Sequence, residues 1–64
     1  MFINIEVERI RSNKSRKDLA RELGVAQSVL SNWIFKRQPI PAAQLRAMSQ
    51  LFGGLSVDYL LMER

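Results

Sequence analysis

The chain has 64 residues, 47% of them hydrophobic, with no cysteine, no histidine and a formal net charge of +4. That length makes a single domain near the lower limit of unaided folding, with a core built from aliphatic packing. The two missing residue types exclude a disulfide framework, zinc-finger ligation, thiol nucleophiles and imidazole bases, and they point to a reducing, cytoplasmic setting without metal or cofactor.

No apolar run is long enough to span a membrane. MFINIEVERI carries acids at positions 6 and 8 and no basic start, unlike a secretory signal. The positive charge is one-sided. Residues 1–37 hold eight of the ten basic residues and four of the six acids, while residues 38–64 hold two of each. Arg9, Arg11, Lys14, Arg16 and Lys17 fall within nine positions. Such a bias suits either a solubilising surface or a polyanion, of which nucleic acid is the usual one.

Ile3, Val7 and Ile10 recur at i, i+4 and i+7 and predict a first helix that buries them, capped by Asn4 or the residues before it. It should end near Ser12-Asn13, since Asn tolerates a left-handed terminus. Ser15 with Asp18 approximates a capping box and starts a second helix, which buries Leu19, Ala20 and Leu23. Gly24 supplies the positive φ that stops it, and Val25 returns to the core. A third helix runs from Ala26 or Gln27 to Phe35 with Leu30, Trp33 and Ile34 inward. KRQPIP is a loop. A fourth helix over 41–52 opens with Pro41, buries Leu45, Met48, Leu51 and Phe52, and stops at Gly53-Gly54. Ser56 caps a last short helix, VDYLLM. The class is all-α.

Two helices joined by a short turn containing glycine form a helix-turn-helix. The close approach of the two helices needs a small residue, met by Ala20, and the turn needs a left-handed residue, met by Gly24. Leu19, Leu23, Val25, Leu30 and Trp33 then hold the crossing angle. The whole set is specific where a lone A-x-x-x-G is not.

The stretch SRKDLARELGVAQSVLSNWI is similar to the DNA-binding unit of the lambdoid phage repressor, Cro and Xre-type regulators, and LSVDYLL resembles the last helix of that family. Together they span about residues 9–61. The resemblance implies a lambda-repressor-like bundle of four to five short helices that binds operator DNA, usually as a dimer. Three positions depart from the pattern. Lys14 stands where the family generally has a buried aliphatic. Ile34 takes a place that is often acidic, so a frequent buried ion pair with the first helix is expected to be absent. LFGGLSV is one residue longer than usual.

In this geometry the second helix of the motif enters the major groove with its N-terminal half at the bases. Gln27, Ser28, Ser31 and Asn32 form a polar stripe able to read base edges, Gln27 foremost, and Val29 beside it suits a thymine methyl. Arg16 and Lys17 in the first turn of the preceding helix, and Lys36 and Arg37 beyond the recognition helix, are the expected phosphate contacts on its two flanks; Asn13 and Lys14 are further candidates. Arg21 and Arg46 are expected outside the contact. Trp33 belongs in the core, and Phe35 either joins a stacking platform or packs under the KRQPIP loop. Leu55, Leu61 and Met62 are the candidate dimer contact, with Leu60 closing the core.

These residues suggest a sequence-specific, double-stranded DNA-binding regulator, a small Cro-like repressor of phage or bacterial type acting on a palindrome as a dimer. It would be a stand-alone protein or the first domain of a longer repressor, with no small-molecule ligand and no membrane contact. The alternative is a protein-binding antitoxin or antagonist module of the same fold, gripping its target through the apolar C-terminus. Six scattered carboxylates and no phosphate-binding glycine loop offer no enzymatic constellation.

Overall fold

The helix-forming segments separated by Asn13, Gly24, the two prolines and the glycine pair become five helices in the computed structural model, which describes residues 1–63. They are α1 (Ile3–Arg11), α2 (Arg16–Leu23), α3 (Gln27–Ile34), α4 (Ala42–Leu51) and α5 (Val57–Leu60), with no strand among the described residues. The core joins all five: Ile5 from α1, Leu19, Ala20 and Leu23 from α2, Leu30, Trp33 and Ile34 from α3, Met48 from α4 and Leu60 from α5. Val25 packs against it from the turn, as Leu51, Phe52 and Leu55 do from the other end.

The first helix is turned relative to its expected stripe. Ile10 is 65% exposed, and Ile3 and Val7 are half-buried. Asn4, Ile5, Glu6 and Glu8 are buried in their place. Burying polar groups is costly unless each finds a partner, and here they do. Asn4 Nδ2 donates to the Tyr59 carbonyl at 2.8 Å, so Asn4 is a bridge to α5 and not a cap. The Tyr59 hydroxyl donates to Glu8 Oε2 at 2.8 Å. Glu6 accepts from Arg9 Nη2 at 2.7 Å and from Arg16 Nε at 3.2 Å. The ion pairs of Glu6 thus run within α1 and to the start of α2, not to the place of Ile34. The Ile34 carbonyl instead accepts the Phe2 backbone N–H at 2.9 Å.

The remaining boundaries differ by small amounts. Pro41 is the N-cap of α4 and not its first residue, and of that helix only Met48 is fully buried. Gly53 and Gly54 take φ of 90° and 85°, a pair of left-handed residues that only glycine adopts without strain. They reverse the chain so that the Ser49 hydroxyl reaches the Leu55 carbonyl, which accommodates the longer loop. The last helix is one turn long, with Leu61 as its C-cap and Met62 beyond it.

Candidate nucleic-acid interface

The interface is built on the second and third helices. Ser15 Oγ accepts the Asp18 N–H at 3.0 Å, and Asp18 Oδ2 accepts the Ser15 N–H at 3.3 Å, a reciprocal capping box. This fixes the first turn of α2 and sets Arg16 and Lys17 on it. At the other end Gly24 has φ 73° and ψ 29°, and its N–H returns to the last carbonyls of α2. The Val25 N–H then bonds the Ala20 carbonyl at 3.0 Å. These are the bonds of a Schellman-type helix end, whose αL residue is best supplied by glycine. Ala20 is 2% exposed within the core that α2 shares with α3, so a larger side chain there would overpack it.

The recognition helix starts without a side-chain cap, Ala26 holding the N-cap position. Its exposure is uneven along the predicted stripe. Gln27 and Ser28 are exposed, whereas Ser31 and Asn32 are half-buried. Val29 is half-buried too and packs against the core. Beyond the helix, the Asn32 carbonyl accepts the Arg37 N–H at 2.8 Å and the Gln38 N–H at 3.3 Å, curling the chain back over the end of α3.

The basic residues are arranged differently from the two separate flanks suggested by their order in the chain. Arg16 and Arg37, from opposite ends of the motif, both lie over the Phe35 ring, each guanidinium carbon 5.2 Å from its centroid. Lys17 is exposed. Lys36 stands apart from them. It takes φ 63°, lies over the Phe2 ring at 5.7 Å and forms an ion pair with Glu63. Lys14 Nζ is engaged by Glu22 at 2.6 Å, which satisfies a lysine standing at a typically buried place. Asn13 adopts φ 58°, the left-handed terminus its residue type suits. Arg21 pairs with Asp18 at 3.8 Å, and Arg46 is exposed on α4.

Phe35 meets the KRQPIP loop through Arg37, whose guanidinium lies over its ring. The hollow beneath that loop, about 370 Å³, is lined by Phe2, Ile40, Leu45 and Leu61 among others and not by Phe35. Trp33 is 4% exposed and belongs to the core, so it offers no stacking surface. At the C-terminal end, Leu55 packs against the core, Leu61 is half-buried at the hollow, and Met62 is 52% exposed.

Electrostatically the motif hangs on Glu6. Burial pushes its carboxyl upward, but the hydrogen bonds and charges of Arg9 and Arg16 outweigh burial and hold it below its ordinary value. It stays ionised and restrains Arg16 from behind. Sequence reading missed Glu6, Glu8 and the junction role of Phe35. The Glu6–Arg9 spacing of i, i+3 was the visible signal, since such pairs meet on one helix face.

A two-helix unit with a glycine turn, a polar and exposed start to its second helix, and guanidinium groups beside it defines a helix-turn-helix DNA-binding domain. A family model described as helix-turn-helix matches residues 5–60, almost the whole chain. The protein belongs to that family, of the Xre and lambda-repressor type, and is a DNA-binding helix-turn-helix regulator. Comparison with curated proteins and with solved structures gives no match. No helix among the described residues is long and apolar enough to cross a membrane.

Proposed function

We propose that this regulator is a small Cro-like repressor that binds a palindromic operator as a dimer in the cytoplasm. Gln27 and Ser28 read base edges in the major groove, with Ser31, Asn32 and Val29 deeper along the same side. Arg16, Lys17 and Arg37 hold the backbone phosphates. Lys36, Lys14 and Asn13 contribute less, the two lysines because carboxylates already engage them. Occupancy of a promoter is enough to block it, so repression asks nothing beyond the DNA-binding unit.

The observation that carries the reading is the presence of two features on one motif, exposed polar residues at the start of α3 and paired guanidinium groups at its end. The exposed polar residues of α3 are those of its first turn, the part that meets bases in this docking geometry. The guanidinium groups of Arg16 and Arg37 converge beside the same motif. Selection of bound sequences from random duplex DNA tests it. The expected result is an inverted repeat with half-sites one helical turn apart, about 34 Å. Binding without sequence enrichment, or binding indifferent to salt, would favour the protein-binding alternative.

A further inference from the structure

We propose that Phe35 is a positioning residue that unites Arg16 and Arg37 into one phosphate clamp, an assignment that rests on the DNA-binding reading above. Phe35 is the C-cap of the recognition helix and is 38% exposed, a large apolar ring outside the core and outside the hollow beneath the loop. Two cations lie over it: the ring centroid is 5.2 Å from both guanidinium carbons, so these are no further apart than twice that distance.

The two arginines come from different elements, one opening α2 and the other following α3, and the aromatic ring is the common surface that fixes both. A guanidinium group over a ring keeps its N–H donors at the edge, free for a phosphate, while its many rotamers are reduced. Arg16 is restrained further, because its Nε donates to Glu6 Oε1 at 3.2 Å. Arg37 has no ion pair among the described residues. Three guanidinium groups, of Arg9, Arg16 and Arg37, are thus linked through one ring and a single carboxylate. That leaves a local excess of positive charge which an anion relieves. The cost of ordering two flexible cations is met in the free protein and not at the moment of binding. The phosphate contacts of both helices are then one unit, located where α2 starts and α3 ends.

The test compares Phe35→Leu, which keeps apolar bulk without the ring, with Phe35→Trp, which keeps a ring. Binding to a random-sequence duplex is followed by fluorescence anisotropy at several salt concentrations, with thermal melting to confirm folding. Phe35→Leu is expected to weaken binding about tenfold and Phe35→Trp to restore most of it, as two exposed cation–π contacts imply. The same Leu substitution in an Arg16→Gln, Arg37→Gln background, measured at low salt, should change binding by less than about twofold, because the ring then has no cation to position. A folded Phe35→Leu protein that binds like the parent overturns the clamp and leaves the regulator reading intact. An equal loss in the background lacking both arginines overturns it as well. A parent protein that binds no duplex overturns both readings at once.

Discussion

Asn4 and Tyr59 are 55 positions apart in the chain, and the side-chain amide of the first donates to the carbonyl of the second at 2.8 Å. Asn4 is fully buried, and the Tyr59 hydroxyl turns back to Glu8 on the same helix. Two polar links therefore join α1 to the one-turn α5, whose own length is too short to be helical alone. Asn4→Leu removes the amide donor and leaves the carbonyl with the Met62 N–H at 3.2 Å, so apolar bulk does not replace the link between α1 and α5. The expected loss is about 1–3 kcal/mol for either Asn4→Leu or Asn4→Ala, read as a lower urea midpoint with an unchanged slope. A leucine variant as stable as the parent would show that the bond contributes nothing net.

The turn of the motif is sensitive to backbone conformation and not to space. Gly24 sits at φ 73°, and a Cβ added there would meet nothing within 4 Å. The cost of substitution is then purely that of placing an L-residue in the left-handed region. It should follow the intrinsic order Asn, Ala, Val, with Gly24→Val losing on the order of 1–3 kcal/mol and Gly24→Asn the least. Differential scanning calorimetry of the three variants checks the ranking. Equal melting of Gly24→Val and the parent would contradict a positive-φ turn.

The central motif was legible from the sequence because each of its demands has a distinct residue type. A capping box, a small buried residue, a left-handed glycine and regularly spaced aliphatics all occur between Ser15 and Ile34, and the structure contains each of them. The first helix was not legible in the same way. Apolar periodicity assigns Ile10 to the core, yet Asn4 and Glu8 find partners at Tyr59, and Glu6 one at Arg16 beside its helix neighbour Arg9, and together these outweigh one isoleucine. Local pattern cannot register such long-range pairing. The junction at Phe35 was hidden for the same reason. Arg16 and Arg37 are distant in sequence, and only the crossing of α2 and α3 brings both to one ring.

Acid should loosen the motif through Glu6. Its folded-state pKa lies below the ordinary 4.5, with the bonds from Arg9 and Arg16 outweighing the opposing effect of burial. A depressed carboxylate pKa adds stability that is fully present above the unfolded-state value and is lost as pH falls through the folded-state value. Stability should therefore decline as pH drops from about 4.5, and Glu6→Gln should reduce that slope while lowering stability at neutral pH. Asp18, held low by the backbone and hydroxyl of Ser15, keeps part of the acid sensitivity in the variant. Urea titrations across acid pH measure both. An acid slope identical in Glu6→Gln and the parent would remove Glu6 from the account.

Two-fold binding, the least local part of the proposal, falls on two residues. Leu55 packs against the core and its carbonyl is held by the Ser49 hydroxyl, so it has little surface to offer a second copy. Leu61 is half-buried at the rim of the apolar hollow beneath the loop, and Met62 beside it is 52% exposed. A contact this small makes a weak dimer in solution, and DNA strengthens it because only the dimer occupies both half-sites. Replacing Leu61 and Met62 with serine should leave affinity for an isolated half-site unchanged. On the full palindrome it should weaken binding about tenfold, equivalent to roughly 1.4 kcal/mol of lost coupling, and abolish its sigmoid shape. Quantitative footprinting on half and full sites separates the two effects. A parent protein that fills each half of the palindrome independently, with the affinity it shows for a lone half-site, would rule out the dimer and place all specificity in one recognition helix.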